Sequence, residues 1–171
     1  MTVLRLPEAG ATPEERFRAL FARHYPAVFR YAGRRLGRDE AADAAAEVFT
    51  VAWRKIGRIP PEPEALPWLY GVARRVVANA ERGRRRRELL VARAAEEAPN
   101  AGPAAERLTV LAALAGLHSG DREVLRLAAW EGLGPRDMGL VLGCSPNAAA
   151  IRLHRARRRL EEAMNDTEGE P

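Results

Sequence analysis

Apolar residues recur along most of the chain at spacings of three and four, and no stretch alternates with a period of two. That pattern predicts helices throughout and no strands. Ala, Leu, Arg and Glu, all good helix formers, dominate. Thr12, Pro13 and Glu15 read as a capping box that opens the first helix, with Phe17, Leu20, Phe21 and His24/Tyr25 as its apolar stripe. Pro26 is expected to break or restart the helix, after which Val28, Phe29, Ala32 and Leu36 continue the stripe. Gly37-Arg38-Asp39 reads as a turn with Asp39 as the next N-cap, and a second helix over about 40–55 is expected to bury Val48, Ala52 and Trp53. Pro60, Pro61, Pro63 and Pro67 make residues 57–67 a stiff loop. A long helix over about 67–90 follows, with Trp68, Leu69, Val72, Val76 and Ala80 on its core side.

The character changes at 94–106, where Glu96, Glu97, Pro99, Asn100, Gly102 and Pro103 occur without a large apolar residue. This is expected to be a flexible linker. Four short helices follow, over about 105–115, 122–130, 135–142 and 146–163, and then an acidic tail, 165–171, expected to be disordered. The fold class is therefore all-α, with two small helical domains, 12–93 and 107–164, joined by the linker and the second containing a helix-turn-helix.

That last assignment rests on local signals. Met138, Val141 and Leu142 are spaced as a helix face, Gly143 stands where a C-cap needs positive φ, and Ser145 and Pro146 suit the N-cap and first position of the next helix. Gly139 lets the two helices approach closely. On the second helix Ala149, Leu153, Ala156, Leu160 and Ala163 share one side at spacings of four and three, as a buried seam requires. Asn147, Ala148, Ile151, Arg155 and Arg158 lie opposite, with Arg152 on a flank. Early residues of such a helix reach base edges in the major groove, and later arginines reach phosphates. An amphipathic core helix with a solvated basic face is the competing reading.

Composition narrows the partners. The net charge is +5, the pI is near 10.3, and all 28 basic residues except Lys55 are arginine. Excess positive charge favours a polyanion, first nucleic acid and second a membrane surface. Codon bias in a GC-rich genome is the competing reading of the preference for arginine over lysine. Cys144 is the only cysteine, which precludes an intramolecular disulfide and fits a reducing cytosol. His24, His118 and His154 are far apart in sequence and carry no metal-ligand spacing. No apolar run approaches a membrane span, and the start lacks the basic-then-apolar order of a signal peptide, so a cytoplasmic protein without cofactor or metal is expected.

Three stretches, "REVLRLAAWEGLGPRDMGLVLGCSPNAAAIRLHRARRRL", "DEAADAAAEVFTVAWR" and "PWLYGVARRVVANAERGRRRR", resemble the extracytoplasmic-function branch of the bacterial RNA polymerase sigma factors. The likeness runs from about Phe17 to Met164. It implies that the first domain docks on a coiled coil of the polymerase's largest subunits through Asp43 and Glu47, one helical turn apart. It implies that the long helix meets the minus-ten element through Arg74, Arg75, Asn79, Arg82, Arg84, Arg85 and Arg87. It also implies that the second domain reads the minus-thirty-five element through Asn147, Ala148, Ile151, Arg152, Arg155 and Arg158. The expected partners are core RNA polymerase, promoter DNA and an anti-sigma factor, with no membrane. The chain departs from the family pattern at Ala46, where a glutamine is usual, and at Ala150 and Ile151, where a basic and a small polar residue are usual.

Other residues carry two readings each. Trp53, Trp68 and Tyr70 can stack on unpaired bases, although core packing is favoured for both tryptophans. Loop residues 58–64 are the exposed alternative, where the family holds a flipped base. The run 82–87 is either a phosphate contact or a solvated helix end. Cys144 is either a redox switch or, as favoured, a semi-buried filler. No Gly-rich phosphate loop, nucleophile–histidine pair or metal cluster appears, so no catalytic residue is assigned and the chain is not expected to be an enzyme. A free-standing helix-turn-helix regulator and a basic module that binds protein or membrane remain as competitors. The first domain argues against the regulator, which has no need of the Asp43/Glu47 face together with the helix from Trp68 to Arg87.

Overall fold

The structure, a computed structural model, describes residues 11–92 and 113–168. The expected linker, 94–106, lies outside the described residues. The chain divides into two compact units, Met1–Ala95 and Glu96–Pro171. Among the described residues every regular element is helical.

In the first unit α1 (Pro13–Leu36), α2 (Arg38–Arg54) and α3 (Ala65–Ala92) pack each on the other two, with a short 3-10 turn at Ile56–Arg58. The capping box forms as expected: Thr12 Oγ1 accepts from Glu15 N–H at 3.2 Å, and Glu15 accepts from Thr12 N–H at 2.9 Å. Val28, Tyr31, Val48, Phe49, Leu69 and Ala73 form the centre of the core. Each fully buried large aliphatic or aromatic side chain there contributes roughly 1.5–3 kcal/mol relative to an exposed one. Four buried alanines on α2, Ala41, Ala44, Ala45 and Ala52, allow its neighbours to approach closely.

In the second unit a helical turn at 113–116 precedes α4 (Ser119–Ala129), α5 (Pro135–Leu142) and α6 (Pro146–Glu168), and α6 packs on both α4 and α5. Leu127, Met138, Val141, Ala149, Leu153 and Ala156 are its core. The expected seam on α6 is therefore buried at its first three positions, and Leu160 and Ala163 are half-buried.

Several local expectations are corrected. Pro26 lies inside a continuous α1. Proline lacks the N–H for one helix bond, but Leu20 and His24 before it and Val28 and Tyr31 after it are all buried, so tertiary packing carries the helix through. Asp39 does not cap α2; Gly37, at φ 92, precedes the helix and leaves Asp39 and Glu40 in its first turn, where their charge suits the helix dipole. Trp53 is 42% exposed, because Ala52 takes the inward position at the end of α2 and the indole lies edge-on to Phe17 instead. Helix α3 begins two residues before Pro67. Helix α4 begins at Ser119, where the His118 ring accepts from Gly120 N–H at 3.4 Å. Helix α6 continues through Glu168, into the expected disordered tail, because no proline or glycine intervenes before Gly169. Arg35 was not recognised as a core residue: its guanidinium stacks 3.5 Å above the Tyr31 ring and donates to Tyr31 C=O, and Tyr31 in turn stacks on Tyr70.

Candidate nucleic-acid interface

The turn between α5 and α6 is built from three small residues. Gly143 adopts φ 68, ψ 40, the left-handed C-cap conformation, at little steric cost to glycine. Cys144 N–H donates to Gly139 C=O at 3.0 Å, and Gly143 N–H donates to the same oxygen, closing the end of α5 in a Schellman arrangement. Gly139 is required by space: a Cβ there would stand 2.7 Å from Cys144 O. Ser145 Oγ then accepts from Ala148 N–H at 3.2 Å, capping α6. The two helices are thus locked at a fixed angle by backbone contacts, which is what aims the second helix.

With Ala149, Leu153 and Ala156 turned into the core, α6 presents Asn147, Ile151, Arg152, Arg155 and Arg158 to solvent. Ile151 is 43% exposed, an apolar side chain held in water. Arg158 pairs with Glu162 at 3.2 Å, one turn on. Ala148 departs from the expectation: it is half-buried, and its backbone N–H donates to the Ser145 cap. His154, which sequence reasoning passed over, is exposed at the middle of the outer face, three residues after Ile151 and seven after Asn147. Its spacing was the available signal. Arg159 belongs to a different task, since it bonds Asp121 at 2.6 Å and ties α6 to α4. Cys144 is half-buried, as expected.

In the first unit Arg74, Arg75, Asn79 and Arg82 of α3 are exposed. Arg75, Asn79 and Arg82 follow each other at spacings of four and three, so they form one stripe, and Arg82 donates to the Asn79 side chain. Exposed Arg86, a member of the run 82–87, lies four residues beyond Arg82 and extends that stripe. Arg84 is half-buried, and the side chains of Arg85 and Arg87 lie outside the described residues.

On α2, Asp43 and Glu47 are exposed with Ala42 and Ala46 beside them, while the reverse side holds Ala41, Ala45, Val48 and Ala52. The two carboxylates therefore stand on a low, alanine-lined surface that a partner helix can approach. Trp53 and the aromatic rings of Phe17, Phe21, Tyr25 and Phe49 lie alongside, from α1 and α2, in a chain of ring contacts 4.8–6.3 Å apart. Of the other aromatic candidates, Tyr70 is buried against Tyr31 and cannot meet a base, and Trp68 is half-buried.

Residues 20–87 match sigma-70 region 2, and residues 107–160 match sigma-70 region 4. The chain is 31% identical over 161 residues to the RNA polymerase sigma factor CarQ of Myxococcus xanthus, covering 91% of this chain and 92% of that protein. The chain belongs to the extracytoplasmic-function sigma factors. Another relative, the ECF RNA polymerase sigma factor SigL of Mycobacterium tuberculosis, is 27% identical over 170 residues, covering 95% of this chain and 96% of that protein. The fold is shared with the sigma factor RpoE of Bartonella quintana, solved with the anti-sigma factor NepR, at a TM-score of 0.63 and 24% identity over 87% of this chain and 96% of that one.

As a sigma factor the protein binds core RNA polymerase and directs promoter-specific initiation of transcription. Sigma factors do this as non-enzymatic DNA-binding factors. A free-standing regulator would leave the region 2 match without a purpose. Among the described residues no group of side chains fits a metal, and no helix is long and apolar enough to cross a membrane.

Proposed function

We propose that the labour is divided between the units as follows. The region 2 unit docks on a polymerase coiled coil through Asp43 and Glu47 and opens the minus-ten element along the α3 stripe of Arg75, Asn79 and Arg82, with Arg74, Arg84, Arg85 and Arg87 contributing phosphate contacts. The region 4 unit reads the minus-thirty-five element with the outer face of α6, where Asn147, Ile151 and Arg152 meet base edges and Arg155 and Arg158 hold the backbone. Ala148 lies against the cap and contributes by its small size. The protein works in the cytoplasm, and an anti-sigma factor, as NepR is for RpoE, restrains it.

The observation that carries this reading is the outward face of α6, in which an exposed isoleucine sits among arginines. Water gives such a side chain nothing, whereas in a major groove it packs against a thymine methyl group. On α2, two carboxylates on one exposed turn suit an arginine-rich partner helix. Titration of core polymerase with the double variant Asp43→Arg, Glu47→Arg tests the docking face. Both positions are exposed, so the domain should keep its melting temperature while affinity falls at least tenfold. Binding equal to that of the wild type would remove α2 as the docking surface.

A further inference from the structure

The segment between the 3-10 turn and α3 carries Pro60, Pro61 and Pro63. Three of its residues therefore have no N–H, and the backbone has few donors with which to fix its own shape. Its internal backbone bonding is sparse: Glu64 N–H donates to Pro61 C=O at 3.0 Å, and Trp68 N–H donates to Glu64 C=O at 3.0 Å. Side chains add to this. Ile59 is buried and anchors one end. In the middle, Glu62 turns towards α1, where its carboxylate accepts from His24 Nε2 at 2.5 Å and lies 3.5 Å from Arg23 Nε. His24 is 5% exposed, whereas Pro61 and Pro63 on either side of Glu62 are exposed.

This arrangement does two things. It fixes the loop at the one residue flanked by outward-facing prolines, so the outer surface has a set shape rather than an ensemble of shapes. It also turns a negative charge inward onto a guanidinium and an imidazole, away from a strand whose phosphates would repel it. Charge-assisted hydrogen bonds of this kind are the stronger class.

We propose that Glu62, held by His24 and Arg23, is a positioning residue for strand capture: it sets the proline loop, before DNA arrives, in the shape that receives an unpaired base of the minus-ten element. The proposal rests on the reading that this loop is where the melted base is held.

The test uses the full chain in holoenzyme, with a fluorescent single-stranded oligonucleotide carrying the minus-ten sequence that the wild-type holoenzyme selects from a randomised promoter library. Glu62→Ala should weaken strand binding about tenfold, the size expected for one lost hydrogen bond to a charged group. Core affinity should stay at its wild-type value, while the melting temperature should fall by a few degrees because buried His24 loses its partner, so strand binding is compared well below both transitions. Glu62→Gln keeps an acceptor for His24 and should retain most of the affinity. His24→Gln, which keeps a donor, should outperform His24→Leu. Unchanged binding by Glu62→Ala, equal losses in Glu62→Ala and Glu62→Gln, or an equal loss in a core variant of the same melting temperature that keeps the Glu62–His24 bond would each overturn the proposal. A photo-crosslinking residue in place of exposed Pro61 separates the underlying reading. No crosslink to the strand in the otherwise wild-type protein would show that the loop does not receive the base. A crosslink that forms equally well with Glu62→Ala would show that the loop does so without this clamp.

Discussion

Gly139→Ala should be among the most damaging single-methyl additions in the second unit. Alanine is favoured over glycine in a helix interior by roughly 1 kcal/mol, so propensity alone predicts stabilisation. The structure predicts the reverse. The added Cβ would stand 2.7 Å from Cys144 O and 3.4 Å from Pro146 N and Ser145 C. All three are backbone atoms, so no side chain can swing aside. Relief requires the turn to move, and Gly139 C=O also accepts the Cys144 N–H bond that closes α5. Overpacking of a dense site costs about 1–3 kcal/mol, and an immovable neighbour puts this case at the upper end, leaving a net loss of about 2 kcal/mol. In a unit this small that lowers the melting transition by about 10 °C. Differential scanning calorimetry on the full chain would measure it, with hydrogen exchange over residues 138–156 locating the loss. Because the turn aims α6, promoter binding should fall more than core binding does. A melting transition that rose or stayed unchanged would refute the reasoning, since it would mean that the helix-turn-helix angle is not set by this backbone contact.

Replacing Arg74, Arg75 and Arg82 with alanine should flatten the salt dependence of promoter binding by about 0.7–0.9 in slope per lost phosphate contact, to a similar extent on different promoters. An unchanged slope would identify the stripe as solvated surface. Arg152→Ala should relax preference at one upstream promoter position, by about 1–3 kcal/mol of discrimination, whereas Arg155→Ala should weaken all promoters alike. Transcription from a promoter library distinguishes the two patterns, and identical uniform losses would contradict the division of roles along α6. Ser145→Ala removes the cap on Ala148 N–H and should destabilise the second unit by about 1 kcal/mol, read as a lower midpoint in urea.

Where a structural feature depends on residues close in the chain, it could be read from the sequence. The Thr12 capping box, the α5 and α6 boundaries around Gly143 and Ser145, and the buried seam of Ala149, Leu153 and Ala156 all depend on neighbours within about two helical turns. The outward position of Ile151 and the exposure of Asp43 and Glu47 followed from the same periodicity. What tertiary structure decided lies elsewhere. Pro26 continues α1 because buried residues on both sides of it pack against other helices, and local propensity has no access to that energy. Trp53 is exposed and Arg35 buried, the reverse of what hydrophobicity alone assigns, because burial is settled by which neighbour fills the space: Ala52 closes the end of α2, and Tyr31 offers a ring face to a guanidinium. The bond between Glu62 and His24 joins residues 38 positions apart. Its two members carry no local pattern linking them, so only the fold, by laying the proline loop across α1, brings the carboxylate to the imidazole.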